Sequence, residues 1–169
     1  MNHTMTPINW AKRPIMEKYA DFSGRAPRAE YWWYTLALII VATVLSIFES
    51  ILGIKGMLFG MYGPLTGLLI LATIVPGLAV GVRRLHDTNR SAWWLLLMLP
   101  YFLSVVMIGA AAAGGGGMAG LAAAGAFGII GLLCAIGFLV LMVLPSTPGD
   151  NRYGPNPYGE TETGPIAAE

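Results

Sequence analysis

The residues of this 169-residue chain that could do chemistry fall in three short polar segments. The first is Asp21-Phe22-Ser23-Gly24-Arg25 through Arg28-Ala29-Glu30-Tyr31-Trp32. The second is Arg83-Arg84-Leu85-His86-Asp87 with Arg90-Ser91, and the third is Asp150-Asn151-Arg152-Tyr153-Gly154-Pro155. Six arginines (Arg25, Arg28, Arg83, Arg84, Arg90, Arg152) stand against four carboxylates (Asp21, Glu30, Asp87, Asp150). Arginine presents a planar fork of donors that fits phosphate or carboxylate, so a surplus of it suits an anion-binding surface. His86 and Asp87 are of the types that move protons in general acid–base catalysis. Sequence neighbours do not face each other on a helix, however, so this dipeptide is not in itself a dyad. Ion pairing between the segments explains the same residues without a ligand. Attraction to anionic headgroups would add about 1 kcal/mol per basic residue near a membrane surface.

Other chemistries find less support. His3 and His86 are the only histidines, and the single cysteine, Cys134, lies deep in an apolar run. That leaves no metal-ligand set and no internal disulfide. The glycines Gly114 to Gly117 lack the strand-to-helix turn and the lysine of a phosphate cradle. Ser104 has no neighbouring base, and Glu49 reads as an interface carboxylate near the outer end of a spanning helix. A net charge of +1 without Lys/Arg runs gives no sign of nucleic-acid binding. No catalytic residue, cofactor or metal site is assigned, and nothing argues for an enzyme.

Apolar helices must position the polar segments. The chain is 56% hydrophobic and 11% charged, with a mean hydropathy of +0.64, whereas soluble domains carry about 25% charged residues. Between Glu30 and Glu49 lie 18 uncharged residues, between Lys55 and Arg83 lie 27, and between Arg90 and Asp150 lie 59. About 20 apolar residues cross the hydrocarbon core as a helix. The expected fold is all-α: a polytopic four-transmembrane-helix bundle with a short N-terminal interfacial amphipathic helix. The spans are placed at about 30–52, 64–83, 92–112 and 119–144, within a membrane domain of 30–144.

Several local signals support these boundaries. Tyr31 to Tyr34 form an aromatic belt on the first span, and Trp93 and Trp94 anchor the third. Ser91 suits its N-cap and Pro100 should kink it. Gly77 and Gly81 offer a small face on the second span. Gly116, Gly120, Ala124 and Gly128 recur every four residues and should let a neighbouring helix approach the fourth. The fourth span should begin after the break at Gly114 to Gly117 and stop before Pro145.

The flanking segments are a cytoplasmic 1–29 and a cytoplasmic tail, 145–169, disordered toward its end. Residues 1–13 are expected to fray. An amphipathic helix is expected from Pro14, with Ile15, Tyr19 and Phe22 on one face and a stop at Ser23-Gly24. The first 30 residues lack the apolar core of a cleavable signal, so the first span should direct insertion. The Asn2-His3-Thr4 sequon is expected to be fortuitous. Nine of the ten Lys and Arg residues fall on one side of this topology and only Lys55 on the other. The positive-inside rule therefore places both termini and the Arg83–Arg90 loop in the cytoplasm.

Asp21-Phe22-Ser23-Gly24-Arg25-Ala26 followed by Arg28-x-Glu30-Tyr31-Trp32 resembles the first motif of the domain of unknown function 805 family. Arg83-Arg84-Leu85-His86-Asp87-Thr88 with Arg90-Ser91-x-Trp93-Trp94 resembles its central motif, and Asn151-Arg152-Tyr153-Gly154-Pro155-x-Pro157 its C-terminal one. Pro27, where Ser or Arg is common, and the Ala/Gly run at 109–120 are departures. The resemblance implies a multi-pass bacterial inner-membrane protein and carries over no activity. The expected function is binding by the cytoplasmic polar face, to anionic phospholipid headgroups or to another membrane protein. A small transporter subunit or a lipid-modifying enzyme using that face is the alternative.

Overall fold

A computed structural model describes residues 5–54, 62–112 and 117–158. Lys55, the glycines 114–116, the sequon and the distal tail from residue 159 lie outside the described residues. The helices are α1 (Pro7–Met16), α2 (Arg28–Ile51), α3 (Pro64–Asp87), a 3-10 helix (Ala92–Met98) leading into α4 (Leu99–Ala112), and α5 (Gly117–Val143). Among the described residues, four stretches are long and apolar enough to cross a membrane: α2, α3, the 3-10 helix with α4, and α5. Large apolar side chains such as Ile39, Val44, Phe48, Leu68, Ile129 and Leu133 stand exposed along them. In a spanning helix these positions face lipid tails.

Three boundaries differ from expectation, each for a local reason. The N-terminal helix starts at Pro7 and not at Pro14. Thr6 caps it by accepting the Asn9 N–H at 3.4 Å, and Pro7 supplies the same first-position signal about two turns upstream of Pro14. Pro14 instead lies buried inside the helix. Tyr19 therefore falls in a turn and Phe22 in the irregular segment beyond it. Helix α3 continues past Arg83 to Asp87, because its last charges are paired within the protein and do not end the helix in water. The third span is 3-10 wound up to Met98, and no side-chain bond from Ser91 caps it. Pro100 has no N–H to give the carbonyl four residues before it, so regular α-helix begins only around that position.

The helices pack as two hairpins, α2 with α3 and α4 with α5, and α1 lies against α2 and α3. Leu85 of α3 joins the hairpins by packing on Phe138, Leu141 and Met142 of α5, flanked by Tyr31, Leu95, Leu97, Met98 and Leu144. Ala26, Tyr34 and Val80 form a second small core. Along α5 the buried positions include Ala124, Gly131 and Phe138. Gly120 and Gly128 of the expected stripe are half-buried. At Gly131 α5 comes close to α4: a Cβ there would stand 2.6 Å from the Tyr101 Cα, whereas a Cβ at Gly128 would meet nothing within 4 Å. The reason is geometric. A four-residue repeat drifts around an α-helix, whereas a seven-residue repeat drifts only about 20°.

Pro76, inside α3, leaves the Ala72 carbonyl without its normal donor. The Tyr19 hydroxyl, in the segment between α1 and α2, supplies one at 2.5 Å. Tyr34 donates to the neighbouring Thr73 carbonyl at 3.2 Å. Backbone groups freed by proline within a span must find such partners, because no water competes there.

Candidate functional site

Arg83 and Arg84 are sequence neighbours on α3, so they project about 100° apart and serve different carboxylates. Arg84 and Asp87, one turn apart, form an ion pair. Arg25, in the loop before α2, approaches the other Asp87 oxygen at 3.0 Å, and Ser146 donates to the carboxylate from beyond α5. The Arg25 side chain and all of Arg84 and Asp87 are buried. Arg84 also donates to the carbonyls of Met142 at 3.1 Å and of Leu144. These belong to the carbonyl end of α5, whose partial negative charge suits a cation. Arg25 donates to the carbonyls of Thr147 and Gly149 at 2.8 and 2.7 Å. Asp87 thus ties together the α2 approach, the end of α3 and the segment after α5.

The tail completes that knot. Thr147 donates through N–H and hydroxyl to the Asp87 carbonyl at 3.0 and 3.1 Å. Asn151 and Gly154 close a tight turn by exchanging backbone hydrogen bonds. Gly154 has φ +137°, a conformation side chains disfavour. The Asn151 amide donates to the His86 carbonyl at 2.9 Å. Tyr153 stacks on the His86 ring at 3.8 Å between centroids, and Arg152 lies over Tyr153 while donating to the Asn89 carbonyl at 3.2 Å. The Gly24 carbonyl lies 3.2 Å from His86 Nδ1, so that nitrogen carries the proton. His86 and Asp87 engage different partners, and no acid–base dyad is formed between them.

Glu30, fully buried on the first turn of α2, binds Arg83 at 2.6 Å and Arg13 of α1 at 3.0 Å. Arg83 is fully buried, yet its Nε and one Nη have no hydrogen-bond partner among the described residues. Removing one partner from a buried pair costs about 3–5 kcal/mol, so Glu30 and Asp87 are structural necessities of this end. Asp21 stands apart. Hydrogen bonds from Ser23, and then Lys18 at 2.9 Å, hold its carboxyl well below the usual carboxylate range. Arg28 and Arg152 are exposed and Arg90 half-buried, and none of the three pairs with a carboxylate among the described residues.

These contacts place the three segments in one polar cluster. Residues 19–155 match the family described as Protein of unknown function (DUF805). The chain belongs to this family. The DUF805 stretch spans all three arginine segments and leaves Arg13 and α1 outside it. The chain is 34% identical over 146 residues to the inner membrane protein YhaH of Escherichia coli K12, covering 85% of this chain and 92% of that one. It is 44% identical over 80 residues to the inner membrane protein YhaI of the same strain, 47% of this chain. That match spans 63% of YhaI's length. No solved structure gives a significant match.

A second polar cluster, at the opposite end of the α2/α3 hairpin, was not visible as such in the sequence. Glu49, buried near the end of α2, accepts from the Leu65 N–H at 2.5 Å, the Thr66 N–H at 3.3 Å and the Thr66 hydroxyl at 2.6 Å. It caps the start of α3, which has no side-chain cap of its own. A Cβ at Gly63 would collide with this carboxylate. A lone acid, Glu49, closing an uncharged stretch ahead of the Gly63-Pro64 start was the available signal.

Proposed function

We propose that this DUF805 protein is a multi-pass inner-membrane receptor for anionic phospholipid headgroups, with its arginine-rich end and both termini in the cytoplasm. The observation that carries the reading is the distribution of unpaired charge. The buried carboxylates Glu30 and Asp87 are committed to Arg13, Arg25, Arg83 and Arg84. Each segment then leaves one arginine with no carboxylate among the described residues: Arg28, Arg90 and Arg152. Trp93, 77% exposed beside Arg90, suits a position at headgroup level. Arginine forks at that level bind phosphate bidentately.

The test is lipid selectivity in reconstituted membranes. Spin-labelled phosphatidylglycerol should be motionally restricted by the protein more than spin-labelled phosphatidylcholine, and salt should weaken the preference. Replacing Arg28, Arg90 and Arg152 together with Ala should strongly reduce it. An unchanged preference in that variant would refute the reading. So would a protein partner that is retained through the same three arginines while lipid selectivity is absent.

A further inference from the structure

The Glu30 cluster is short of hydrogen-bond acceptors. Arg13 and Arg83 both lean on this one carboxylate. Three of their nitrogens, Arg83 Nε and Nη2 and Arg13 Nε, are buried without a hydrogen-bond partner among the described residues. Arg13 Nε has only a 3.4 Å contact with the exposed Glu17, too poorly directed to count as a hydrogen bond. A buried guanidinium normally fills its fork. An anion with several acceptor oxygens is the complement that this cluster lacks.

The surroundings say which kind of anion. Glu30 and Tyr34 lie one turn apart on the same face of α2, and Leu38 and Val41 continue that face along the helix. A cleft of about 90 Å³ opens there, lined by Tyr34, Ala37, Leu38 and Val41 of α2, by Leu69 and Thr73 of α3, and by Ala11 and Ile15 of α1. The cationic fork and the apolar cleft thus share α1 as their common cover. A ligand with a phosphate at one end and hydrocarbon at the other would engage both, the cleft taking the first few methylenes of a chain whose remainder lies in the surrounding lipid.

We propose that the Arg13–Glu30–Arg83 cluster binds the phosphate of a single anionic phospholipid, one acyl chain of which enters the cleft between α1 and the α2/α3 pair. Helix α1 lifts to admit it, exchanging the Arg13–Glu30 contact for a contact with phosphate. The site deepens the headgroup-binding reading but uses none of the three surface arginines, so the two can fail separately.

The test is ligand-dependent thermal stability of the full chain in dodecyl maltoside, titrated with dioleoyl phosphatidylglycerol, dioleoyl phosphatidylcholine or inorganic phosphate. Phosphatidylglycerol should raise the unfolding midpoint saturably, and the other two should not. Ala37→Leu fills the cleft without touching a charge and should weaken phosphatidylglycerol binding at least about tenfold. Arg83→Gln should do the same, whereas Glu30→Gln, which removes the competing carboxylate, should tighten binding. The Arg28/Arg90/Arg152→Ala triple variant should keep the saturable effect. The proposal is overturned if Ala37→Leu binds phosphatidylglycerol like the parent, or if inorganic phosphate stabilises as well as the lipid. Loss of the effect in the triple variant alone would return the binding to the surface arginines. Should Arg83→Gln or Glu30→Gln fail to fold, Ala37→Leu, which touches no charge, still decides the matter.

Discussion

Replacing Tyr19 with Phe removes one oxygen, and the structure sets what that oxygen is worth. Pro76 cannot donate to the Ala72 carbonyl, and the Tyr19 hydroxyl does so instead at 2.5 Å. Without it the carbonyl faces lipid or protein with no donor. An unsatisfied buried acceptor costs about 1–3 kcal/mol, while measured hydrogen bonds between membrane helices average nearer ~0.6 kcal/mol. Tyr19 is 43% exposed, so the expected loss lies at the lower end, about 1 kcal/mol. The decisive assay is a double-mutant cycle with Pro76→Ala, followed by unfolding in mixed micelles. The Pro76→Ala change restores an N–H to the same carbonyl, so Tyr19→Phe in that background should cost under about 0.3 kcal/mol, the scatter of independent sites. An equal cost in both backgrounds would show that Tyr19 acts through packing alone and would refute the proline compensation.

Three further outcomes follow from other contacts. Gly131→Ala should destabilise by about 1–3 kcal/mol, because its Cβ meets the α4 backbone and a helix must move. Gly125→Ala, with nothing within 4 Å of its Cβ, should instead stabilise by roughly 0.5–1 kcal/mol; thermal unfolding in detergent compares the two. Glu49→Ala and Gly63→Ala should each lower the unfolding midpoint, and Glu49→Gln should lower it less than Glu49→Ala because an acceptor remains for the start of α3. Asp87→Ala should cost about 3–5 kcal/mol and free the segment after α5, seen as faster tryptic cleavage at Arg152.

The four spans are legible in the sequence because long uncharged runs leave few other solutions for a chain so poor in charge. The three polar segments are legible as neighbours because the topology brings their ends to one side. Their pairing is not legible. Nothing in the string Arg83-Arg84 says that one guanidinium reaches α2 while the other reaches the end of α5; helical projection decides that only once the neighbours are in place. Arg13 lies in a segment expected to fray, because the Thr6-Pro7 start resembles the signal at Pro14 and the two compete. Asp21, grouped with the cluster by its position in a motif, satisfies itself locally with Ser23 and Lys18. Gly131 stands outside the four-residue stripe of small side chains, because it follows Ala124 by seven residues and Gly128 by three. Glu49 reads as a boundary carboxylate, since its partners are two backbone N–H groups and a hydroxyl, which no charge pattern announces.

Native mass spectrometry of the full chain, extracted from bacterial membranes in mild detergent with no lipid added, tests the function most directly. The expected spectrum carries adducts of anionic phospholipid, enriched over zwitterionic lipid relative to the membrane itself and diminished when Arg28, Arg90 and Arg152 are replaced by Ala. Bare protein, or a stoichiometric protein partner without retained anionic lipid, would contradict it.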